Sequence, residues 1–339
     1  MSLAQHLVRR MFLMIPMLLG VTLLLFVVTH LVPVDPLAVI LTEKSMEDPN
    51  AVAAATEKWG LDKPLPEQYL IYLMNLLQGD LGTSFKTKNP VANDLRTFLP
   101  ATLELAIGSF IFAILLGLPL GIISAVRSGT LVDHFTRVFS LLGASMPPFW
   151  SGLIALFVFY YLLGVAPGPG RIDSRMGTPE HITGLFTIDS ALTGNWPALQ
   201  SSLSHLVLPS IILGWFTLAL IARITRSSIM EVLSTDYIRT ARAKGAGERR
   251  VIVRHALRNG LIPLVTLMGL AFAGLMSGAI MTETIFAWPG IGRYAVEASA
   301  NLDYPAISGV TLLIAVIYMV VNLFVDILYS VIDPRIRES

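Results

Sequence analysis

Six apolar runs, each long enough to cross a bilayer, constrain this chain more than anything else in it. A membrane-spanning helix needs roughly 20 predominantly apolar residues. Such runs lie at about 11–32, 101–126, 138–166, 206–222, 259–282 and 304–325. Between lipid tails a backbone must satisfy its own hydrogen bonds, and a helix does so within one segment. The expected fold class is therefore an all-α membrane protein with six transmembrane helices. Of 339 residues, 54% are hydrophobic and only 14% charged, too little charge for a soluble surface. The first run, Met11 to Val32, follows Arg9 and Arg10. It is longer than a signal-peptide core and no small-residue cleavage site follows, so it reads as a retained first helix.

Basic residues set the expected orientation, because cytoplasmic segments are enriched in Lys and Arg. With both termini in the cytoplasm, segments 1–10, 127–137, 223–258 and 326–339 hold 15 of the 24 basic residues in 71 positions. The opposite segments, 33–100, 167–205 and 283–303, hold 9 in 128. Residues 33–100 then form a long outside segment, in which Pro66 to Leu77 has the pattern of an amphipathic helix and Asp80–Ser84 that of a turn. Pro167-Gly-Pro-Gly170 opens a second outer loop.

The spans are poor in charge. Glu104 and Glu283 sit near outer span ends and Asp326 at an inner one. An ion-coupled carrier wants an acid or a broken helix at mid-membrane; it is the runner-up reading, ahead of a channel or an intramembrane enzyme. There is no Gly-Lys dipeptide, hence no phosphate-binding P-loop, and no His-Glu-x-x-His. His6, His30, His134, His181, His205 and His255 are scattered without ligand spacing. The absence of cysteine excludes disulfides and thiolate chemistry. A net charge of +1 gives no bias toward nucleic acid. The chain is expected not to be an enzyme, and to bind neither metal nor cofactor. Gly117/Gly121 and Gly274/Gly278 allow close helix approach, for ordinary packing or for a seam against a partner subunit. Pro119, Pro147, Pro148 and Pro209 are expected to kink spans.

The most informative stretch is the cytoplasmic loop 236–259. Thr235 or Asp236 can cap a short helix. Gly245-Ala-Gly247 can end it, and a second helix follows from Glu248. Arg250, Arg254 and Arg258 then recur every four residues on one face. Orientation alone needs charge, not this form; a docking element for a cytoplasmic partner fits better.

These residues carry a resemblance. The loop resembles the EAA loop of importer-type ABC permeases, in the form found in the B-type permeases of the dipeptide, oligopeptide and nickel family, those for dipeptides above all. Gly245 matches the loop glycine and Ala241 its second alanine. Arg239 and Thr240 stand where many importers have Glu and Ala. The proline usually found about a dozen residues on appears later, as Pro263. Further matching strings run along nearly the whole chain: Arg9–Pro16, Leu31–Pro36, Leu61–Pro64, Gly79–Ser84, Ser145–Trp150, Thr282–Arg293, Asp303–Pro305 and Asp333–Arg337.

The resemblance implies a type I ABC importer permease fold: an N-terminal transmembrane helix (1–32), a periplasmic insertion (33–97), a five-helix core (98–332) and a short cytoplasmic tail (333–339). It implies half of an inner-membrane pathway for dipeptides or short peptides. It also implies a homologous C-type permease, two ATPase subunits that carry ATP and Mg, a periplasmic peptide-binding protein and membrane lipid as partners. Tyr237, Arg239, Thr240, Ala241, Lys244, Gly245, Arg250 and Arg254 would couple to the ATPases. The segment 167–205 with 282–305 would meet the binding protein or form an outer gate, with Glu283, Phe286, Trp288, Pro289 and Gly290 as gate candidates.

Overall fold

A computed structural model describes residues 3–31, 37 and 46–332. The Leu31–Pro36 string beyond its first residue, and the tail 333–339, lie outside the described residues. Among those described, an isolated antiparallel bridge, Thr83 to Pro90, is the sole β pairing; everything else regular is helical.

α1 (Leu3–Leu31) is followed by α2 (Pro49–Trp59) and α3 (Leu65–Leu77). α3 is the expected amphipathic helix. It lies against α1, where the Tyr69 hydroxyl meets the Thr22 hydroxyl at 2.9 Å and donates to the Leu19 carbonyl at 3.1 Å. α4 (Val91–Val126) begins ten residues before the second apolar run, so the expected boundary at residue 97 falls inside one helix. α5 (Leu131–Ser145) and α6 (Pro148–Ala155), which continues as a π-helical stretch Leu156–Leu162, replace the single span expected at 138–166. They meet at 105°. Pro147 and Pro148 lack amide hydrogens, and a residue before proline is pushed into the extended region, as Met146 is with ψ at 128°. Pro100, Pro119 and Pro209, by contrast, sit inside helices that run on through them.

α7 (Phe186–Leu192) leads into α8 (Trp196–Leu233), 38 residues long where the apolar run had 17. α9 (Asp236–Ala243) and α10 (Glu248–Arg250) follow; α10 passes through a π-helical stretch Val251–Ala256 into Leu257–Gly260. α11 (Ile262–Ile285), α12 (Ile291–Ala300) and α13 (Tyr304–Ile332) complete the chain. Among the described residues five helices are long and apolar enough to span, and the count reaches six when the bent α5–α6 pair is taken as one span.

α8 is the axis. Two thirds of its most apolar window is buried (67%), against 17% for α1 and α13. It packs along α4 through small residues. A Cβ on Gly121 would sit 2.6 Å from the Ala222 carbonyl oxygen, and one on Gly117 3.0 Å from Ile221. Those glycines therefore serve packing within the chain. Gly274 and Gly278 of α11 face open space instead. The core follows this seam: Leu105, Leu213, Leu275, Met276 and Trp288 form one cluster, and Ala113, Leu218, Ile221 and Leu264 another.

Near the start of α5, the buried Asp133 accepts hydrogen bonds from Ser124, from the Gly129 amide and from Arg226 of α8 at 2.7 and 2.9 Å. This pins three helices at the end of the bundle that carries α9 and α10. We call it the hairpin end, and the opposite one the insertion end.

Candidate functional site

At the hairpin end, α9 and α10 fold back on one another over a small apolar core of Ile238, Val251 and Ala256, with Val232, Leu233 and Ala246 against it. Gly245 takes φ of +79°. Its amide donates to the Arg242 carbonyl at 2.9 Å, and the Ala246 amide to the Ala241 carbonyl at 3.1 Å. Those are the two bonds of a Schellman helix stop, which wants a left-handed residue where Gly245 stands. The expected side-chain cap at the other end of α9 is not made. The Thr235 hydroxyl turns back to the Val232 carbonyl at 2.6 Å, where it satisfies an acceptor at the end of α8.

Arg242 and Glu248 pair across the turn at 2.6 Å, and Arg242 holds the Glu248 carboxyl below its ordinary pKa. Tyr237 accepts from the Asn259 side chain at 2.9 Å, closing the open end of the hairpin. Arg239 pairs with Asp236 at 3.2 Å, and the Thr240 hydroxyl bonds back to the Asp236 carbonyl. Ala241 is half-buried; Lys244, Gly245, Arg250 and Arg254 are exposed. Arg250, Arg254 and Arg258 form no ion pair among the described residues. The hairpin thus presents a rigid fold with an unneutralised basic edge.

At the insertion end, four buried carboxylates, Glu104, Asp189, Glu283 and Asp303, organise the connections. Glu283, at the end of α11, accepts from the Thr102 hydroxyl at 2.6 Å and from the Arg293 amide at 3.0 Å. Thr102 in turn accepts from the Ile291 amide at 2.8 Å. Trp288 is fully buried and donates its indole N–H to the Ala101 carbonyl at 2.8 Å. A Cβ on Gly290 would collide with the Glu283 carboxyl group, so a larger residue there would push that carboxyl off its donors. The structure thus brings Glu283, Phe286, Trp288, Pro289 and Gly290 into one tight turn, its large side chains facing inward.

Glu104, two residues after Thr102, receives Arg171 at 2.6–2.7 Å and the Thr187 amide and hydroxyl at 2.7 and 2.6 Å. Arg171 also donates to the Gly184 carbonyl at 2.7 Å, and its guanidinium lies 3.8 Å from the Phe186 ring centre. Burial pulls the Arg171 pKa down, against the attraction of Glu104. Asp189 collects the amides of Ile182, Thr183 and Gly184; burial raises its pKa, and these bonds with the Thr183 hydroxyl bring it below the ordinary carboxylate value. The 167–195 segment is therefore bolted to α4. The insertion is bolted likewise to α13: Asp303 accepts from the Ser84 hydroxyl at 2.6 Å and the Phe85 amide at 2.9 Å. Lys86 and Arg293 both pair with Glu297.

Sequence reading singled out Glu104 and Glu283 as charges at span ends but gave no bonding role to Arg171, Asp303 or Asp133. An unpaired acid near a span end is itself the available signal that a buried cation or donor set exists elsewhere. Its partner lies 67 residues on for Glu104 and 219 residues back for Asp303. No group of three His, Cys, Asp or Glu side chains able to hold a metal ion occurs among the described residues.

Residues 117–338 match the family described as the binding-protein-dependent transport system inner membrane component, and residues 3–106 match its N-terminal companion. The chain belongs to that family. Among curated relatives, it is 45% identical to the dipeptide transport system permease protein DppB of Alkalihalophilus pseudofirmus, over 97% of this chain and 98% of that one. It is 46% identical to the di/tripeptide transport system permease protein DppB of Pseudomonas aeruginosa, over 98% of each. To the probable D,D-dipeptide transport system permease protein DdpB of Escherichia coli it is 43% identical, over 94% of each. Among solved structures, an inward-facing form of the MetNI methionine ABC transporter matches with a TM-score of 0.50 and 17% identity, over 69% of this chain and 93% of that one. That likeness supports the type I importer fold. The family is one of multi-pass inner-membrane proteins, in keeping with the apolar helices described above.

Proposed function

We propose that this chain is one of two permease subunits of an ATP-driven importer of dipeptides or short peptides. The full-length similarity to dipeptide permeases carries the reading, and the exposed basic hairpin gives it a mechanism. ATP and Mg are bound by two partner ATPase subunits, and the second half of the pathway comes from a homologous C-type permease. A periplasmic binding protein delivers the peptide. Both termini and the hairpin face the cytoplasm; the insertion and the 167–195 segment face the periplasm.

In this reading, Tyr237, Arg239, Thr240, Ala241, Lys244, Gly245, Arg250 and Arg254 form the contact with the ATPases. α8 leads directly into the hairpin, so closure of the ATPase pair moves α8 and the helices packed on it. Such coupling needs two helix packings whose balance ATP shifts. The turn at Glu283–Gly290 is the fixed hinge of an outer gate. The binding protein meets the exposed stretch 174–178 of the bolted loop.

An ion-coupled peptide carrier is the competing mechanism. Glu104, Asp133, Glu283 and Asp326 are each engaged by donors or cations near span ends, which leaves none of them poised to carry protons at mid-membrane. The deciding experiment copurifies the tagged chain and measures peptide uptake in vesicles. Copurification of ATPase and a second permease, with uptake that needs internal ATP, is expected. Proton-driven uptake by the chain alone would overturn the reading.

A further inference from the structure

A cavity of about 520 Å³ lies between α5 and α8 toward the hairpin end, within the roughly 300–1,000 Å³ range of small-molecule sites. Its walls change character along the helices. Nearest the hairpin end stand His134 and Arg137 of α5 with Arg223 and Arg226 of α8. Further into the membrane the same two helices supply Leu141 and Phe216. From Arg137 to Leu141 is about one helical turn, roughly 5–6 Å of rise. Arg226 is committed to Asp133. Arg137, Arg223 and His134 have no acidic partner among the described residues. The Ser140 hydroxyl, in the same wall, is buried and has no hydrogen-bond partner.

Positive charge at a cytoplasmic membrane boundary needs no ligand, since orientation alone explains it. Orientation does not explain two unpaired arginines converging from different helices on one concavity, nor an apolar wall one turn deeper, nor a buried hydroxyl left without a partner. A peptide partner would bring its own acids but not an apolar tail that continues into the bilayer. Basic pockets between transmembrane helices on the cytoplasmic side suit anionic headgroups.

We propose that this cavity is a binding site for an anionic phospholipid, its phosphate held between Arg137 and Arg223 and one acyl chain laid along Leu141 and Phe216. The lipid fastens α5 to α8 beside the Asp133–Arg226 clamp, next to the helix that leads into the hairpin.

The test places the full chain in nanodiscs with equal phosphatidylglycerol and phosphatidylcholine and counts the lipids retained by native mass spectrometry. Selective retention of phosphatidylglycerol is expected. Arg137→Gln with Arg223→Gln should lower that selectivity by roughly fivefold per arginine removed. Arg9→Gln with Arg127→Gln, two cations outside the cavity, should leave it unchanged. Equal retention of both lipids by the unaltered chain, or an equal loss in both double variants, would overturn the proposal. So would loss of the retained lipid on assembly with a second permease, which would make the cavity a subunit contact. Both leaflets of a nanodisc have one composition, so the outcome is independent of the proposed orientation and transport cycle.

Discussion

At Gly245 a single dihedral separates two explanations of one residue. A Cβ built there meets nothing within 4 Å, so no internal clash forbids a side chain. What forbids most residues is φ at +79°. Valine in a left-handed site costs roughly 1–2 kcal/mol, whereas asparagine visits that region with little strain. Gly245→Val should insert normally, bind ATPase weakly and support little uptake. Gly245→Asn separates the causes. If the helix stop is what matters, Asn restores most of the uptake; if the ATPase surface must approach the backbone itself, Asn fails as Val does. Membrane abundance, ATP hydrolysis and uptake measured in the same vesicles read this out, and full coupling in Gly245→Val would remove the hairpin from the mechanism.

Arg171 makes the opposite case, where the side chain and not the backbone carries the weight. Removing one partner of a buried pair leaves an uncompensated charge and costs about 3–5 kcal/mol. Arg171→Met should therefore lower the thermal midpoint of the purified protein strongly. Adding Glu104→Gln to that variant removes the stranded charge and should recover much of the loss. An additive, undiminished loss in the double variant would show that the Glu104–Arg171 pair is not what bolts the loop to α4.

Among the elements, the hairpin was the most legible from sequence, because punctuation is local. Gly245 and Gly247 mark the break between helices within a few residues, and the arginine spacing marks the solvent face of α10. Its π-helical stretch was not legible, since no residue type demands it. Apolar runs located the spans but not the helix ends. α4 and α8 extend well past their runs, because Asp94 and Asn195 find partners in Tyr294 and the Ala198 amide that no hydropathy pattern reveals. The bend between α5 and α6 was half legible: two prolines announce a break but not its 105° angle. A prediction belongs to the hairpin's exposed edge. Arg250→Glu with Arg254→Glu should weaken ATPase association, and less so at high salt, because exposed charges are screened within about 8–10 Å at physiological salt. Copurification at low and high salt measures it; unchanged recovery at both would place the docking surface elsewhere. In intact cells, a cysteine in place of Lys244 should resist an impermeant thiol reagent if the hairpin faces the cytoplasm as proposed, and with no native cysteine to confuse the readout, labelling from outside would overturn that orientation.

Across the whole molecule, α4 and α8 both reach from one end to the other, and α8 alone runs on into the hairpin. Its 38 residues make a rod of about 57 Å, longer than the roughly 30 Å hydrocarbon core. One end stands beside the 167–195 loop, where Asn195 caps it; the other runs directly into α9. Between them α8 is clamped to α5 by Asp133–Arg226 and packed on α4 through glycines. A rod held this way transmits displacement only while it stays stiff beyond its last clamp. Ser227 and Ser228 lie just beyond that clamp, before the residues of α8 that pack on the hairpin, and neither is buried. Replacing both with glycine adds backbone freedom at roughly 0.5 kcal/mol per site, too little to unfold the bundle. The ATPases should then still bind and hydrolyse ATP, since the hairpin surface is untouched. Uptake per ATP hydrolysed should fall several-fold, because part of the motion is absorbed in the softened joint. Ser227→Ala with Ser228→Ala, which stiffens the same joint, should keep or raise that ratio. If both pairs of substitutions leave the ratio of uptake to hydrolysis where it began, motion does not pass along α8, and the route from hairpin to outer turn must run instead through α10 and α11.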